Sequence, residues 1–165
     1  MHDPPPPEAL DLVATALGRA LDDVVATGGP LAPMSVHAIE GGVDIRRFTD
    51  GRLEEALSGA REELAGTPGD WVLLWDGYLT IDEWRTDALY AHLEVDGQDT
   101  AHLFAWRYGR EEGAEEVGPL EPAMHLGEDG RYADPGRSHP LPPGEGPVAP
   151  HGQVLPARRR WFKRR

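Results

Sequence analysis

Apolar residues recur every three to four positions in two stretches of the chain, and this spacing indicates amphipathic helices. The first stretch covers residues 8–26, with apolar positions at Leu10, Val13, Ala14, Leu17, Leu21, Val24 and Val25. Four prolines precede it and a Gly-Gly-Pro sequence follows it, which are typical start and stop signals. The second stretch covers residues 53–65, with apolar positions at Leu53, Ala56, Leu57, Ala60 and Leu64. Thr49 or Asp50 is available as its N-cap.

Short apolar runs bounded by turn residues predict three antiparallel hairpins, over residues 34–48, 70–82 and 88–109. With the two helices they predict an α+β fold in the order helix, hairpin, helix, two hairpins. In this fold two helices pack on an antiparallel sheet of about five or six strands. We place this globular domain at residues 8–109. The order of the elements resembles that of Roadblock and profilin-like domains, and this resemblance implies a role as an interaction module.

Turn residues predict how the strands pair. The first hairpin turns around Gly41-Gly42, because glycine accepts the positive φ of a tight turn. The second hairpin is predicted to turn at Asp76-Gly77 in a type I′ conformation, with Trp75 opposite Tyr78.

From residue 110 onward the chain contains nine prolines and eight glycines in 56 residues. This composition predicts a largely irregular, acidic tail over residues 110–157, because such a segment buries too little apolar surface to offset the entropy of ordering. Within it, residues 119–127 have the pattern of one short strand or clasp. The last eight residues, 158–165, form a separate basic and aromatic segment.

Charge divides the chain into two opposite parts. The formal net charge is −13, but the last eight residues carry six basic side chains around two aromatic rings. These residues are Arg158, Arg159, Arg160, Trp161, Phe162, Lys163, Arg164 and Arg165. The preceding 157 residues hold 10 basic and 29 acidic residues, so their charge is −19. Only the C-terminal segment can therefore attract anionic partners. Its chemistry fits an anionic membrane surface, nucleic acid, an acidic protein, the chain's own acidic body or a neighbouring copy.

Composition also excludes several chemistries. The chain has no cysteine, which rules out disulfides, cysteine-type zinc sites, iron–sulfur ligation and thiol catalysis. None of its three serines lies in a G-x-S-x-G sequence, and no phosphate-binding loop is found. The many acidic residues are expected to form a solvated surface. These observations favour a non-enzymatic function, and no cofactor is expected.

A metal-dependent enzyme is the alternative, built on His37, His92, Glu94 and His102 in the predicted strands. Imidazole and carboxylate groups are ligands for Zn²⁺ or Fe²⁺. If the positions paired across the third hairpin sum to 194, His102 lies opposite His92 and completes a three-ligand face. If they sum to 195, His102 faces Leu93 and the group separates. The alternation of apolar residues in the two strands favours 195.

The sequence thus predicts a small interaction or adaptor module with an unspecified protein partner. Its candidate binding residues are the segment 158–165 and two sheet aromatics, Trp75 and Tyr78, because aromatic rings on a sheet commonly form a binding surface. A homo-oligomer is also compatible with this interpretation, and an acidic inhibitor or immunity-type protein for a basic partner is a further alternative. The first 30 residues lack the pattern of a secretory signal, and no stretch has the length of a membrane span, so we expect a cytoplasmic location.

Overall fold

The computed structural model describes residues 4–49 and 51–129. The C-terminal segment 158–165 and the predicted irregular stretch after residue 129 lie outside these residues. The elements are α1 (Pro7–Thr27), β1 (Met34–Ile39), β2 (Gly42–Arg47), α2 (Leu53–Leu64), β3 (Trp71–Ile81), β4 (Trp84–Glu94), β5 (Ala101–Gly109), β6 (Gly118–Pro119) and β7 (Met124–Asp129). The α+β fold is confirmed, with seven antiparallel strands instead of five or six. In the part of the chain that the structure describes, neither helix has the length and apolar character needed to cross a bilayer.

The two helices cover opposite faces of one sheet. Its strands follow the order β2-β1-β3-β4-β5-β6, and β7 also pairs with β5. The buried side of α1 packs with Val72 and Leu74 of β3, whereas α2 packs with Trp71, Leu73 and Trp75 of the same strand. Because successive strand residues point to opposite sides, β3 contributes to two separate cores. We call these two sides of the sheet the α1 face and the α2 face.

The apolar surface of α1 is wider than the part of it that the sheet covers. Its buried positions are Ala9, Leu12, Val13, Ala16, Leu17, Ala20, Leu21 and Val24. Three of the apolar residues that predicted this helix, Leu10, Ala14 and Val25, are instead exposed. Leu10 is 42% exposed and Val25 is 51% exposed. One flank of the helix therefore presents apolar side chains that the sheet does not bury.

The second helix begins as predicted at Leu53, but its cap differs from the prediction. Arg52 holds the N-cap position in place of Thr49, and the other predicted cap, Asp50, lies outside the described residues. The Glu55 carboxylate accepts a hydrogen bond from the Arg52 backbone N–H at 2.9 Å. This is the bond by which the N3 side chain of a capping box satisfies the backbone N–H of the N-cap residue.

The predicted turn at Asp76-Gly77 is wrong. Strand β3 runs without interruption from Trp71 to Ile81, and Gly77 is paired with Ala88 of β4. The same pairing places Trp75 opposite Tyr90, and not opposite Tyr78. Residues 84–87, which were interpreted as a connection, belong to β4. The reason is that Asp76 finds hydrogen-bond partners inside the fold, so its carboxylate does not need a turn or solvent.

The hairpin turns instead at Asp82-Glu83, between the paired residues Ile81 and Trp84. Both turn residues have positive φ, 46° for Asp82 and 70° for Glu83. A two-residue turn of this kind favours Asn-Gly or Asp-Gly, and a glutamate in the left-handed region is strained.

Replacing Glu83 with Gly should therefore raise the free energy of unfolding by about 0.5–1 kcal/mol, because glycine adopts the left-handed region without strain. Urea denaturation would measure the change. Glu40→Gly is the matched control, since Glu40 lies in the β1–β2 turn but is not among the residues with positive φ. A glycine there is expected to leave stability unchanged or to lower it. An equal gain in both variants would show that strain at Glu83 is not the cause.

The β4–β5 hairpin has the register favoured by the apolar pattern. Leu93 pairs with His102 and Ala88 pairs with Arg107, so paired positions sum to 195. The sheet then continues beyond the predicted domain end at residue 109, because β6 and β7 both pair with β5. The domain boundary predicted at residue 109 is therefore too early. The possible strand predicted within 119–127 corresponds to part of β7.

Candidate binding groove

An open groove lies between α1 and the segment that leads into β7. Its volume is about 440 Å³. Ala14 and Leu17 line it from the helix, Leu120 and Pro122 line it from residues 119–123, and Trp106 lines it from β5. The exposed surface of this lining is mostly apolar. We call it the α1 groove. It lies along the flank of α1 that carries the exposed apolar residues.

The outer wall of the α1 groove is anchored to β5 by several hydrogen bonds. The indole N–H of Trp106 donates to the Glu121 carbonyl oxygen at 2.6 Å. The Arg107 guanidinium donates to both carboxylate oxygens of Glu121, at 2.6 and 2.5 Å. The Leu120 N–H also donates to the Arg107 carbonyl oxygen at 3.0 Å. A two-point arginine–carboxylate contact defines geometry strongly, so the wall is held in place before any ligand binds.

Acidic residues precede both groove-lining segments along the chain. The loop between β5 and β6 carries four exposed glutamates immediately before the wall segment: Glu111, Glu112, Glu115 and Glu116. On the helix, exposed Asp11 and Leu10 lie about one turn before Ala14. The arrangement combines an apolar groove with negatively charged residues just before its lining segments in the sequence. Its chemistry suits a ligand that carries both an apolar side chain and positive charge.

A group of hydrogen-bonded residues around Asp76 lies buried on the α1 face. Asp76 is 7% exposed and accepts hydrogen bonds from the Leu31 N–H at 3.0 Å and from the Tyr108 hydroxyl at 2.8 Å. Burial raises the pKa of Asp76 to about 6, although both hydrogen bonds act to lower it. Burial, reinforced by the Asp76 carboxylate, raises the pKa of Tyr108, so its hydroxyl remains a donor. This group ties the α1–β1 connection to β3 and β5. None of its residues lines the α1 groove.

The proposed metal ligands do not converge. His92 and Glu94 are adjacent on the α2 face and almost completely buried, with Nε2 and Oε1 3.4 Å apart. Trp71 lies beside both His92 and His37, with ring centroids 5.9 and 6.5 Å away. The register places His102 on the opposite, α1 face. Among residues 4–49 and 51–129, no set of three or more His, Asp or Glu side chains is arranged to hold a metal ion.

The histidines instead have local partners. The His37 Nε2 lies 2.9 Å from the Ser35 hydroxyl, and the His102 Nε2 lies 2.9 Å from the Gln98 side-chain oxygen. Burial lowers the pKa of His37, and Arg46 adds to this effect. Burial also lowers the pKa of His102, with a further contribution from His125. These contacts are what a histidine requires when it packs within or beside a core.

The two sheet aromatics do not form the expected binding surface. Trp75 is 1% exposed and stacks on Tyr90 in the α2 core, with ring centroids 5.6 Å apart. Its ring is therefore not available to a partner. Tyr78 is half-buried on the α1 face, and the Arg85 guanidinium lies 4.0 Å from its ring centroid. Neither residue lines the α1 groove. The third candidate, segment 158–165, lies outside the described residues.

The α1 groove is not predictable from the sequence pattern, although residues of both its walls have recognisable patterns. Ala14 was counted among the apolar positions of α1, but periodicity alone does not show which of these positions the sheet leaves uncovered. Residues 119–127 have the pattern of a short strand or clasp, but the position of residues 119–123 beside α1 depends on how β6 and β7 pair with β5. The groove therefore follows from long-range pairing, which a local pattern does not encode.

None of the family models matches this chain, and no curated protein and no solved structure is similar enough to count as a match.

Proposed function

We propose that this protein is a non-enzymatic interaction module, of the adaptor type, that binds a short segment of a partner protein in the α1 groove. The segment would present an aromatic side chain flanked by basic residues. The observation that carries this proposal is the mostly apolar α1 groove, whose wall segment directly follows four exposed glutamates in the sequence. The alternative of a metal-dependent enzyme has weaker support, because the register separates His102 from His92 and Glu94.

The size and rigidity of the groove support binding of a peptide side chain. Its volume of about 440 Å³ lies within the range of small-ligand sites and accommodates one or two aromatic rings. The wall segment is held by the Arg107–Glu121 ion pair, so little ordering is required when a ligand binds. An aromatic ring buried in such a site contributes most of the binding energy, and charges around it steer the encounter and define the orientation.

Charge complementarity supports a basic ligand. The part of the chain before residue 158 has a formal charge of −19, and the β5–β6 loop, which leads into the groove wall, carries four of the negative charges. Exposed charge pairs contribute little individually, but a cluster of them attracts a basic peptide and repels an acidic one. The identity of the partner, a homo-oligomeric assembly and the cytoplasmic location stay predictions from the sequence.

Placing arginine at Ala14 should weaken peptide binding by about tenfold or more, because its side chain fills the groove and repels a basic ligand. The probe is a fluorescein-labelled synthetic octapeptide with a Trp-Phe core flanked by arginines, titrated with the full chain and followed by fluorescence anisotropy. Thr15→Arg is the matched control: it makes the same charge change at an exposed position about 100° further around the helix. We expect less than about a threefold effect from this control.

Two further binding measurements separate the apolar from the ionic contribution to affinity. A probe with both aromatic residues replaced by Ala should bind about tenfold more weakly at equal charge. The double variant Glu115→Gln/Glu116→Gln should weaken binding by roughly three- to tenfold, and the pair Glu54→Gln/Glu62→Gln on α2 is the control. Equal loss with Ala14→Arg and Thr15→Arg, or equal binding of both probes, would contradict recognition in the α1 groove.

A further inference from the structure

We infer that in the free protein the α1 groove is occupied by the chain's own C-terminal segment, residues 158–165. A partner segment of similar chemistry would then have to displace this segment. The groove would then stay occupied by segment 158–165 until a partner segment binds in its place. This inference rests on the proposed function, because it names the first ligand of the same groove.

The chemistry of segment 158–165 matches the groove. Trp161 and Phe162 supply two adjacent aromatic rings, and basic residues flank them on both sides. The groove supplies an apolar lining from Ala14, Leu120 and Pro122, and the exposed glutamates of the β5–β6 loop directly precede its wall segment in the sequence. Aromatic rings prefer the apolar lining, whereas the flanking arginines are attracted to these glutamates. No other stretch of eight residues in this chain combines two aromatic residues with six basic ones.

The length of the intervening chain allows this contact within one molecule. Strand β7 directly follows the wall segment and ends at Asp129. Residues 130–157 connect it to the C-terminal segment. For a connection of this length, random-coil statistics give a root-mean-square span of roughly 30 Å, close to the diameter of a domain of this size. Such tethers give effective concentrations in the millimolar range. Even a weak intrinsic affinity, with Kd on the order of 0.1 mM, would keep the groove occupied about nine-tenths of the time.

Self-occupancy predicts a defined effect on external ligands. The double variant Trp161→Ala/Phe162→Ala should bind the labelled octapeptide about tenfold more tightly than the unmodified chain, because the groove is no longer filled. The substitutions lie outside the groove and keep all six basic residues. Equal affinity for the probe in both proteins would overturn the inference. Binding of the probe in the groove would then still stand, so failure of the inference is distinguishable from failure of the proposed function.

Paramagnetic relaxation enhancement locates the segment directly. The chain has no cysteine, so Arg165→Cys creates a single site for a nitroxide label on the full-length protein. We expect selective broadening of the amide signals of Ala14 and Leu120 and of the Trp106 indole signal. The signals of Ser58 and Gly59, on α2 across the sheet, should be retained. The broadening should disappear in the Trp161→Ala/Phe162→Ala background, which keeps the ionic attraction.

A mixing control distinguishes contact within one chain from contact between copies. Isotope-labelled protein without the nitroxide is mixed with unlabelled protein that carries it. Broadening only when both labels are on the same chain supports docking within the molecule. Three results would each overturn the inference: broadening in the mixed sample, uniform broadening across the whole acidic surface, or no broadening at low salt. The first of these results would indicate a second copy, and the second would indicate ionic attraction without a defined site.

Discussion

Replacing Asp76 with Asn should make the protein progressively more stable than the wild type as the pH rises: the difference between their free energies of unfolding should grow by about 2.5 kcal/mol from pH 4 to pH 8. Burial raises the pKa of Asp76 from 3.8 in the unfolded chain to about 6 in the folded protein. The folded state therefore holds a proton at pH values where the unfolded state has released it. Protonation of Asp76 therefore stabilises the folded wild type most below pH 4, and this contribution to the free energy of unfolding is lost as the pH rises through 6.

Asparagine removes this titration, keeps the hydrogen bond from Leu31 and reverses the direction of the one with Tyr108. Its carbonyl oxygen can accept from the Leu31 N–H, and its amide group can donate to the Tyr108 oxygen. Urea unfolding of both proteins between pH 3.5 and 8 gives the difference curve. Asp99→Asn makes the same chemical change on an exposed turn and serves as the control. A difference between Asp76→Asn and the wild type that stays constant with pH would mean that the Asp76 carboxylate is solvated in the folded protein.

Truncation of Trp75 to Ala should lower the free energy of unfolding by about 3–5 kcal/mol, because it leaves a large cavity in the α2 core. The Trp75 ring is 1% exposed, stacks on Tyr90 and belongs to the same cluster as Leu57 and Leu64 of α2. Such a loss is a large part of the total stability of a domain of this size. Denaturation in urea, with the midpoint and slope fitted separately, would measure it.

Trp84→Ala is the matched control, since Trp84 lies at the end of the β3–β4 hairpin and is 45% exposed. We expect a loss below about 1 kcal/mol there. Where Trp75→Ala does not fold, Trp75→Phe retains an aromatic ring and should cost about 1–2 kcal/mol. A loss below about 1 kcal/mol for Trp75→Ala would place the ring at the surface, where the sequence analysis expected a binding residue.

Much of the fold was predictable because it follows from local pattern. The three-to-four-residue spacing of apolar side chains defined both helices to within a residue or two. The Gly41-Gly42 region defined the first hairpin, and alternation of apolar residues defined the register of the third. That register already argued against the metal site, because it separates His102 from His92. In each case the burial of one side of an element leaves a periodic trace in the sequence.

What the sequence determined by itself is therefore the α+β class, the position of most elements and the opposite charges of the body and the C-terminal segment. Only the tertiary structure decided that Asp76 lies within a strand, because the donors that satisfy it come from Leu31 and Tyr108, far away in the chain. Only the tertiary structure joined β7 to β5 and thereby formed the wall of the α1 groove. The physical reason is common to both: local propensity is worth about 1 kcal/mol or less per residue, and a buried hydrogen bond or a strand pairing between distant residues overrides it.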